Sequence, residues 1–210
     1  MKEQKTIYHL IVDESGSMSD CIDNTITGFN DQLAKIMNIE REFPGQKITV
    51  GLTTFNDRIR HHFFEETPGI IQKINEKTYL PNGSTALLDA IGFTVNKIEM
   101  DLAISTLHLP TTVIIAIITD GYENASKEYN FSLIRQMIRR LEATGNWTFN
   151  FIGATIDTAE VAEQLSISNN SISFSKNEMQ GEVWDKLNDG LKKYMLSKDS
   201  GKNSLKFFEE

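Results

Sequence analysis

The sequence is poor in cysteine and in basic residues. Cys21 is the single cysteine among 210 residues, so no internal disulfide can form and no oxidising compartment is indicated. Lys and Arg number 21 against 29 Asp and Glu, a net charge of −8. Because nucleic-acid binding requires basic surface, this balance argues against a nucleic-acid partner. An acidic surface instead suits a protein that attracts cations.

Long apolar runs are also missing. No stretch approaches the roughly 18 apolar residues of a membrane span. The N-terminal "MKEQKTIYHL" (1–10) lacks the apolar core of a signal peptide. We therefore predict a cytoplasmic protein without a membrane partner.

Two shorter apolar runs indicate a parallel sheet. "TIYHLIV" (6–12) and "TTVIIAII" (111–118) are nearly continuous and rich in β-branched residues. Such runs are typical of strands that are buried on both faces beneath helices. Each run leads to an aspartate, Asp13 in the first case and Asp120 in the second.

Amphipathic segments alternate with the predicted strands. Apolar residues recur at helical spacing between the two runs and again after Asp120, and a polar pair, Asn56 and Asp57, predicts a tight hairpin between two strands. The alternation predicts an α/β fold: a Rossmann-like, doubly wound, mostly parallel six-stranded sheet with one antiparallel edge strand and helices on both faces. The other predicted strands cover 47–55, 58–64, 147–154 and 171–174, with a small helix within 69–76 and a helix capped by Asp157 and Glu160.

No linker interrupts this pattern. We predict one domain over residues 1–196, followed by a polar, flexible tail over residues 197–210.

Oxygen-bearing side chains are concentrated after the first apolar run. In "IVDESGSMSD" (11–20), Asp13 is followed closely by Ser15 and Ser17, and Gly16 permits a tight turn between them. Ligands of open α/β sheets lie beyond the carboxyl ends of the strands, so Asp13 and Asp120 should meet there if their strands are neighbours.

A third loop offers another hydroxyl. In "PNGSTALLDA" (81–90), Ser84 or Thr85 lies beside the start of a predicted helix. These motifs contain no histidine or thiol, and all-oxygen ligation fits a hard cation. Few carboxylates together with neutral hydroxyls favour Mg²⁺.

Three motifs carry a resemblance to a known family. "DESGSM" resembles the D-x-S-x-S signature of von Willebrand factor A domains, "GSTAL" their G-x-T-x-L loop and "TDGYEN" their T-D-G loop, in the family's order. The resemblance covers about residues 5–196. It implies a metal-ion-dependent adhesion site that holds Mg²⁺, with Mn²⁺ or Ca²⁺ as alternatives. The implied metal ligands are Asp13, Ser15, Ser17, Thr85 and Asp120.

The resemblance also implies how such a site binds. One coordination position of the metal is left open, and an Asp or Glu carboxylate of a protein partner fills it. The motifs are most similar to those of short, stand-alone bacterial and phage proteins, some of them linked to tellurite resistance.

Two other functions compete with a binding module. A metal-dependent phosphatase or hydrolase would use the same type of sheet, but Ser15 stands where haloacid dehalogenase phosphatases carry a second aspartate. We therefore expect no enzyme activity. A scaffold with a purely structural metal differs from a binding module in one respect, because its partner binding would survive chelation.

Neighbouring residues receive simpler interpretations. Glu14 is close enough in sequence to reach the ion, but it is expected instead to face solvent or a basic group of a partner. Glu123 and Asn124 either border the binding face or have only a role within their loop. His9 is expected to be a core or hydrogen-bonded histidine, and Trp184 a core anchor.

Overall fold

The computed structural model describes residues 3–105, 109–154, 158–175, 178, 181–200 and 206–208. Six strands form one sheet: β1 (Gln4–Asp13), β2 (Gln46–Phe55), β3 (Ile59–Glu66), β4 (Thr111–Thr119), β5 (Trp147–Gly153) and β6 (Ser171–Ser173). Five α-helices accompany them: α1 (Ile22–Glu42), α2 (Leu87–Ile104), α3 (Phe131–Glu142), α4 (Thr158–Leu165) and α5 (Glu182–Asp199). Short 3₁₀ helices cover Gly16–Cys21, Pro68–Ile70 and Ser168–Asn170.

The strand order is β3-β2-β1-β4-β5-β6, and every neighbouring pair is parallel except β2 and β3. This confirms the predicted mostly parallel sheet with one antiparallel edge strand. After β1, the strands β2 and β3 are added on one side of it, and β4, β5 and β6 are then added on the other side. The switch point of the topology therefore lies between the carboxyl ends of β1 and β4, where ligands of such sheets bind.

The two faces of the sheet bury separate cores. Tyr8, Leu10 and Val12 of β1 belong to the core that includes residues of α1 and α5. Ile7 and Ile11 of the same strand belong to the core that includes residues of α2, α3 and α4. Because successive side chains of a strand point to opposite faces, a strand with helices on both sides must be apolar throughout. This explains the nearly continuous apolar run at residues 6–12.

Four aromatic or imidazole rings pack directly over glycines. A Cβ atom placed on any of these glycines would lie 2.0–2.6 Å from the ring that covers it, which is closer than real contacts allow. Trp184 is 2% exposed, so its predicted role as a core anchor is confirmed. The four pairs are Gly28 with Trp184, Gly51 with His9, Gly92 with Tyr129, and Gly190 with Phe207.

The prediction of a small helix within residues 69–76 was wrong. Only Pro68–Ile70 forms a 3₁₀ turn, and no helix follows it up to residue 76. The side-chain amide of Asn30 forms two hydrogen bonds with the backbone of Ile74. Its Oδ1 accepts from the Ile74 nitrogen at 3.0 Å, and its Nδ2 donates to the Ile74 oxygen at 2.9 Å. The backbone of Ile74 is thus paired with a side chain of α1. Asp157, predicted to cap α4, lies outside the described residues.

The end of the chain contributes to the core. Helix α5 continues to Asp199, past the boundary predicted at residue 196. Phe207 is 1% exposed, and its backbone nitrogen donates to Asn170 Oδ1 at 2.9 Å. The flexibility predicted for the rest of the tail stays a prediction. Within the described ranges, no helix is long and apolar enough to cross a membrane.

His9 is a buried, hydrogen-bonded histidine, as predicted. It is fully buried on β1, and its Nε2 lies 2.9 Å from Thr53 Oγ1 of β2. The same hydroxyl lies 3.0 Å from His61 Nδ1 on β3. Burial, with a smaller contribution from the charge of His61, lowers the pKa of His9 to about 3.

The lowered pKa of His9 predicts a loss of stability in mild acid. Between pH 6.5 and about 3 the unfolded chain binds a proton at this residue and the folded chain does not, so the stability present above pH 6.5 is lost as the pH falls. Against a His9→Gln variant, the wild type should lose roughly 1 kcal/mol of unfolding free energy per pH unit below pH 6. Urea denaturation at pH 7, 6 and 5 measures this, and parallel pH dependences would contradict it.

Candidate metal centre

Asp13 ends β1 and is held from two sides. Its side chain is fully buried. Oδ1 accepts a hydrogen bond from the backbone nitrogen of Ser15 at 2.7 Å, and Oδ2 accepts one from Thr119 Oγ1 of β4 at 2.5 Å. The carboxylate is therefore fixed across the ends of two predicted strands, which the structure shows to be neighbours.

Ser15 and Ser17 connect this carboxylate to the second one. Their hydroxyl oxygens are 3.0 Å apart, and Ser17 Oγ donates to Asp120 Oδ1 at 2.6 Å. Ser15 directly precedes the 3₁₀ helix Gly16–Cys21, in which Ser17 is the second residue. The loops after β1 and β4 thus meet through side-chain oxygens.

The loop that carries Thr85 is tied to both other loops. The backbone nitrogen of Gly16 donates to the backbone oxygen of Gly83 at 3.1 Å. Gly83 has a φ of +73°, a left-handed conformation that favours glycine. The nitrogen of Thr85 donates to Asn124 Oδ1 at 2.9 Å, and its oxygen accepts from the nitrogen of Asn124 at 3.0 Å.

The space beside Gly121 shows that the oxygens converge. A Cβ atom built on Gly121 would lie 2.9 Å from Thr85 Oγ1 and 3.4 Å from both Asp13 Oδ2 and Ser17 Oγ. One point beside Gly121, in the loop after β4, is therefore close to oxygens from the other two loops, and Asp120 precedes Gly121 in the chain. The five residues predicted from the sequence lie in one cluster, and its all-oxygen donor set fits a hard divalent cation. Their role as metal ligands stays a prediction.

Burial makes negative charge on the carboxylates of this cluster energetically unfavourable. Loss of solvation raises the pKa of Asp13 to about 6, and the nearby charge of Asp120 acts in the same direction. Hydrogen bonds from Thr119 and Ser15 lower the pKa and oppose these effects. A divalent cation would offset the remaining repulsion between the two carboxylates. Among the described residues, no group of three or more His, Cys, Asp or Glu side chains could hold a metal. A metal here would therefore need the hydroxyls.

The prediction for Glu14 was wrong. Its side chain is 3% exposed, and its Oε1 accepts from the backbone nitrogen of Leu80 at 2.5 Å and lies 3.6 Å from Arg60 Nη1. Neighbouring residues at a strand end point in opposite directions, so Glu14 turns away from the cluster when Asp13 turns into it. Glu14 secures the segment that leads to Gly83.

Asp89 is a supporting residue that the sequence analysis missed. It lies in the first turn of α2 and is 7% exposed. Its two carboxylate oxygens accept hydrogen bonds from the backbone nitrogens of Lys127, Glu128 and Tyr129 at 2.8–3.0 Å. One side chain thus fixes the chain that follows the T-D-G motif against α2. An acidic residue in the first turn of a helix, just after the G-x-T motif, was the available signal.

Glu123 and Asn124 have the loop role that was one of their two interpretations. Glu123 Oε1 accepts from the nitrogens of Ala125 and Ser126 at 3.0 and 2.8 Å. Its Oε2 accepts from the nitrogen of Leu88 at 2.9 Å, in the first turn of α2. The two residues join the loop after β4 to the loop that carries Thr85.

Comparison with known proteins agrees with this fold. The sequence profile described as the von Willebrand factor type A domain matches residues 9–188. The chain therefore belongs to the von Willebrand factor type A domain family. No curated protein matches the chain.

Several solved structures share the fold. Proximal thread matrix protein 1 of the mussel byssus superposes with a TM-score of 0.60 at 16% identity, over 91% of this chain and 46% of that one. The PilB minor pilin of Streptococcus sanguinis superposes with a TM-score of 0.65 at 11% identity, over 93% of this chain and 63% of the pilin. The vWF domain of the Mfa5 pilus tip protein of Porphyromonas gingivalis superposes with a TM-score of 0.60 at 10% identity, over 96% of this chain and 97% of that one. This chain thus spans about half of the mussel protein's length. Another structure of that protein, with a zinc-occupied MIDAS motif, gives 0.59 at 14%, over 90% and 48%.

The space beside Gly121 yields a test of the cluster. A Gly121→Ala substitution would place its methyl group 2.9 Å from Thr85 Oγ1, where a bound ion needs room. We expect the affinity for Mg²⁺ or Mn²⁺, measured by calorimetry, to fall at least about tenfold. Gly181→Ala is the matched control, because a Cβ there meets nothing within 4 Å. Equal metal affinities of the two variants would show that the oxygens do not enclose the ion.

Asp89 is expected to support the cluster from outside it. Asp89→Asn removes a charged acceptor from three backbone nitrogens and should loosen the loop after β4, with an expected loss of about tenfold in Mn²⁺ affinity. Asp101→Asn is the control, because Asp101 lies on the same helix but pairs with Lys97 on the surface. A titration in which both variants match the wild type would refute this supporting role.

Proposed function

We propose that this chain is a metal-dependent protein-binding module that docks an acidic residue of a partner. The observation that carries the proposal is the point beside Gly121, which oxygens of Asp13, Ser17 and Thr85 surround. Ser15 and Asp120 complete the set through their hydrogen bonds to Ser17.

The donor set suits a site that binds an external carboxylate. A bound divalent cation would supply positive charge to a partner's Asp or Glu. Three of the five donors, Ser15, Ser17 and Thr85, are neutral hydroxyls, so the site adds little negative charge of its own. Asp13 is fixed by Thr119 and the Ser15 backbone before any ion arrives, which reduces the ordering that binding requires.

Membership of the family supports this proposal, since type A domains commonly mediate metal-dependent protein interactions. The zinc-occupied motif of the mussel protein supports a divalent ion at such a site. We propose Mg²⁺ as the physiological ion because the donors are all hard oxygens, with Mn²⁺ or Ca²⁺ as alternatives.

We further infer that the module binds and does not catalyse. The described histidines, which are the usual general bases, contact threonines of β2: His9 and His61 contact Thr53, and His62 contacts Thr54 at 2.8 Å. The predicted cytoplasmic location and the similarity to tellurite-resistance proteins stay predictions.

Metal removal tests the proposed function. Protein immobilised in Mg²⁺ should capture a partner from an extract of its native host and release it in EDTA. Asp120→Ala should abolish the capture with an unchanged circular dichroism spectrum, because Asp120 closes the oxygen cluster on the β4 side.

The control is Asp31→Ala, which removes an exposed carboxylate from the outer part of α1. It should capture the partner like the wild type. Equal recovery with Mg²⁺ and with EDTA would contradict the adhesion mechanism and favour a scaffold whose metal is structural.

A further inference from the structure

A groove opens beside the metal centre. It has a volume of about 710 Å³ and lies between the loop after β1, the start of α1 and the segment 76–82. Exposed Asp23 and Glu76 line it together with apolar groups, among them Ile22 and Leu80, and Leu80 is 48% exposed. Asp20 also lines the groove.

The groove lies close to the oxygen cluster. Asp20 and Ser17 belong to the same 3₁₀ helix, Gly16–Cys21. Residues three apart eclipse each other in such a helix and are separated by about 6 Å, so the groove begins one turn from a proposed metal ligand. Tyr79 lines the groove, and its hydroxyl donates to the backbone oxygen of Asp13 at 2.7 Å. The groove therefore lies within reach of a segment bound at the metal.

The chemistry of the groove is opposite to that of the metal. Three carboxylates, Asp20, Asp23 and Glu76, line it, while Lys77 lies at an adjoining depression that also includes Asp23 and Glu76. An acidic side chain bound at the metal would be repelled from the groove. A Lys or Arg side chain suits it, because its apolar stem can lie on Leu80 and Ile22 while its charged end reaches the carboxylates.

We propose that the groove receives a Lys or Arg side chain from the same partner segment whose carboxylate binds at the metal. This inference rests on the proposed function and gives the partner a chemical signature. The partner presents an exposed segment that carries one acidic and one basic residue a short distance apart.

The required spacing follows from helix geometry. From Ser17 the chain rises about 6 Å to Asp20 in the 3₁₀ helix and about 4.5 Å more to Asp23, which gives about 10 Å in total. An extended segment advances about 3.3 Å per residue. The acid and the base should therefore be separated by about two to four residues.

Selection from a random peptide library displayed on phage tests the signature. The full chain is immobilised in Mg²⁺ and bound phage are eluted with EDTA. We expect the eluted peptides to carry an Asp or Glu with a Lys or Arg two to four residues away. If the acid is enriched without the base, the groove proposal is overturned while the metal-dependent function stands. If EDTA elutes nothing specific, the proposed function fails and the groove proposal fails with it.

Paired variants locate the basic residue. Selection on Asp23→Asn/Glu76→Gln should retain the acid and enrich the base less than the wild type does, because only Asp20 of the three carboxylates remains. Asp31→Asn/Glu66→Gln removes the same two charges from exposed positions outside the groove and should behave like the wild type. Reduced enrichment of the base in both variants, or in neither, would show that the groove does not recognise it.

Affinities of a selected peptide make the test quantitative. Replacing its Lys by Ala should weaken binding to the wild type about two- to fivefold, the range for an exposed ion pair. The same replacement should have a smaller effect on Asp23→Asn/Glu76→Gln, which keeps only Asp20 of the three carboxylates. An equal loss on both proteins would contradict a contact between the base and the groove.

Discussion

The candidate site depends on the pairing of β1 with β4 at the centre of the sheet. The two strands run parallel with Val12 opposite Ile118, so both chains leave the sheet at the same edge. Asp13 and Asp120 are thereby brought together although more than a hundred residues separate them. The Thr119 hydroxyl, placed between the strand ends, accounts for one bond that such a buried carboxylate requires.

The acidic side chains near this edge have two distinct duties. Asp13 and Asp120 point into the oxygen cluster. Glu14, Asp89 and Glu123 point away from it and accept hydrogen bonds from backbone nitrogens. Carboxylates that bond several backbone nitrogens fix irregular loops where no strand or helix pairing exists. The loop-fixing carboxylates consequently maintain the geometry of Asp13 and Asp120. The adjacent residues Asp13 and Glu14 therefore have different roles: Asp13 belongs to the oxygen cluster and Glu14 fixes a loop.

Hydrophobic periodicity predicted the sheet and the helices that alternate with its strands, and the resemblance of three motifs to a known family implied the five clustered side chains. These features depend on patterns that repeat along the chain, or on short loops that parallel strands bring together. The errors fall where distant contacts decide. Pairing with Asn30 holds Ile74 outside a helix, and the orientation of Glu14 follows from its partner Leu80, 66 residues away. The contacts of Phe207 could not be foreseen either, because neither Asn170 nor Gly190 could be recognised as its neighbour.

The rings that pack over glycines restrict how this sequence can change. At each of these places the ring fills the volume that a neighbour's side chain would occupy, so neither position is free to vary alone. A larger residue at position 51 would have to be accompanied by a smaller one at position 9, and the same holds for positions 28 and 184. Homologues that carry a larger residue in place of one of these glycines are therefore expected to carry a smaller residue in place of the ring that packs over it.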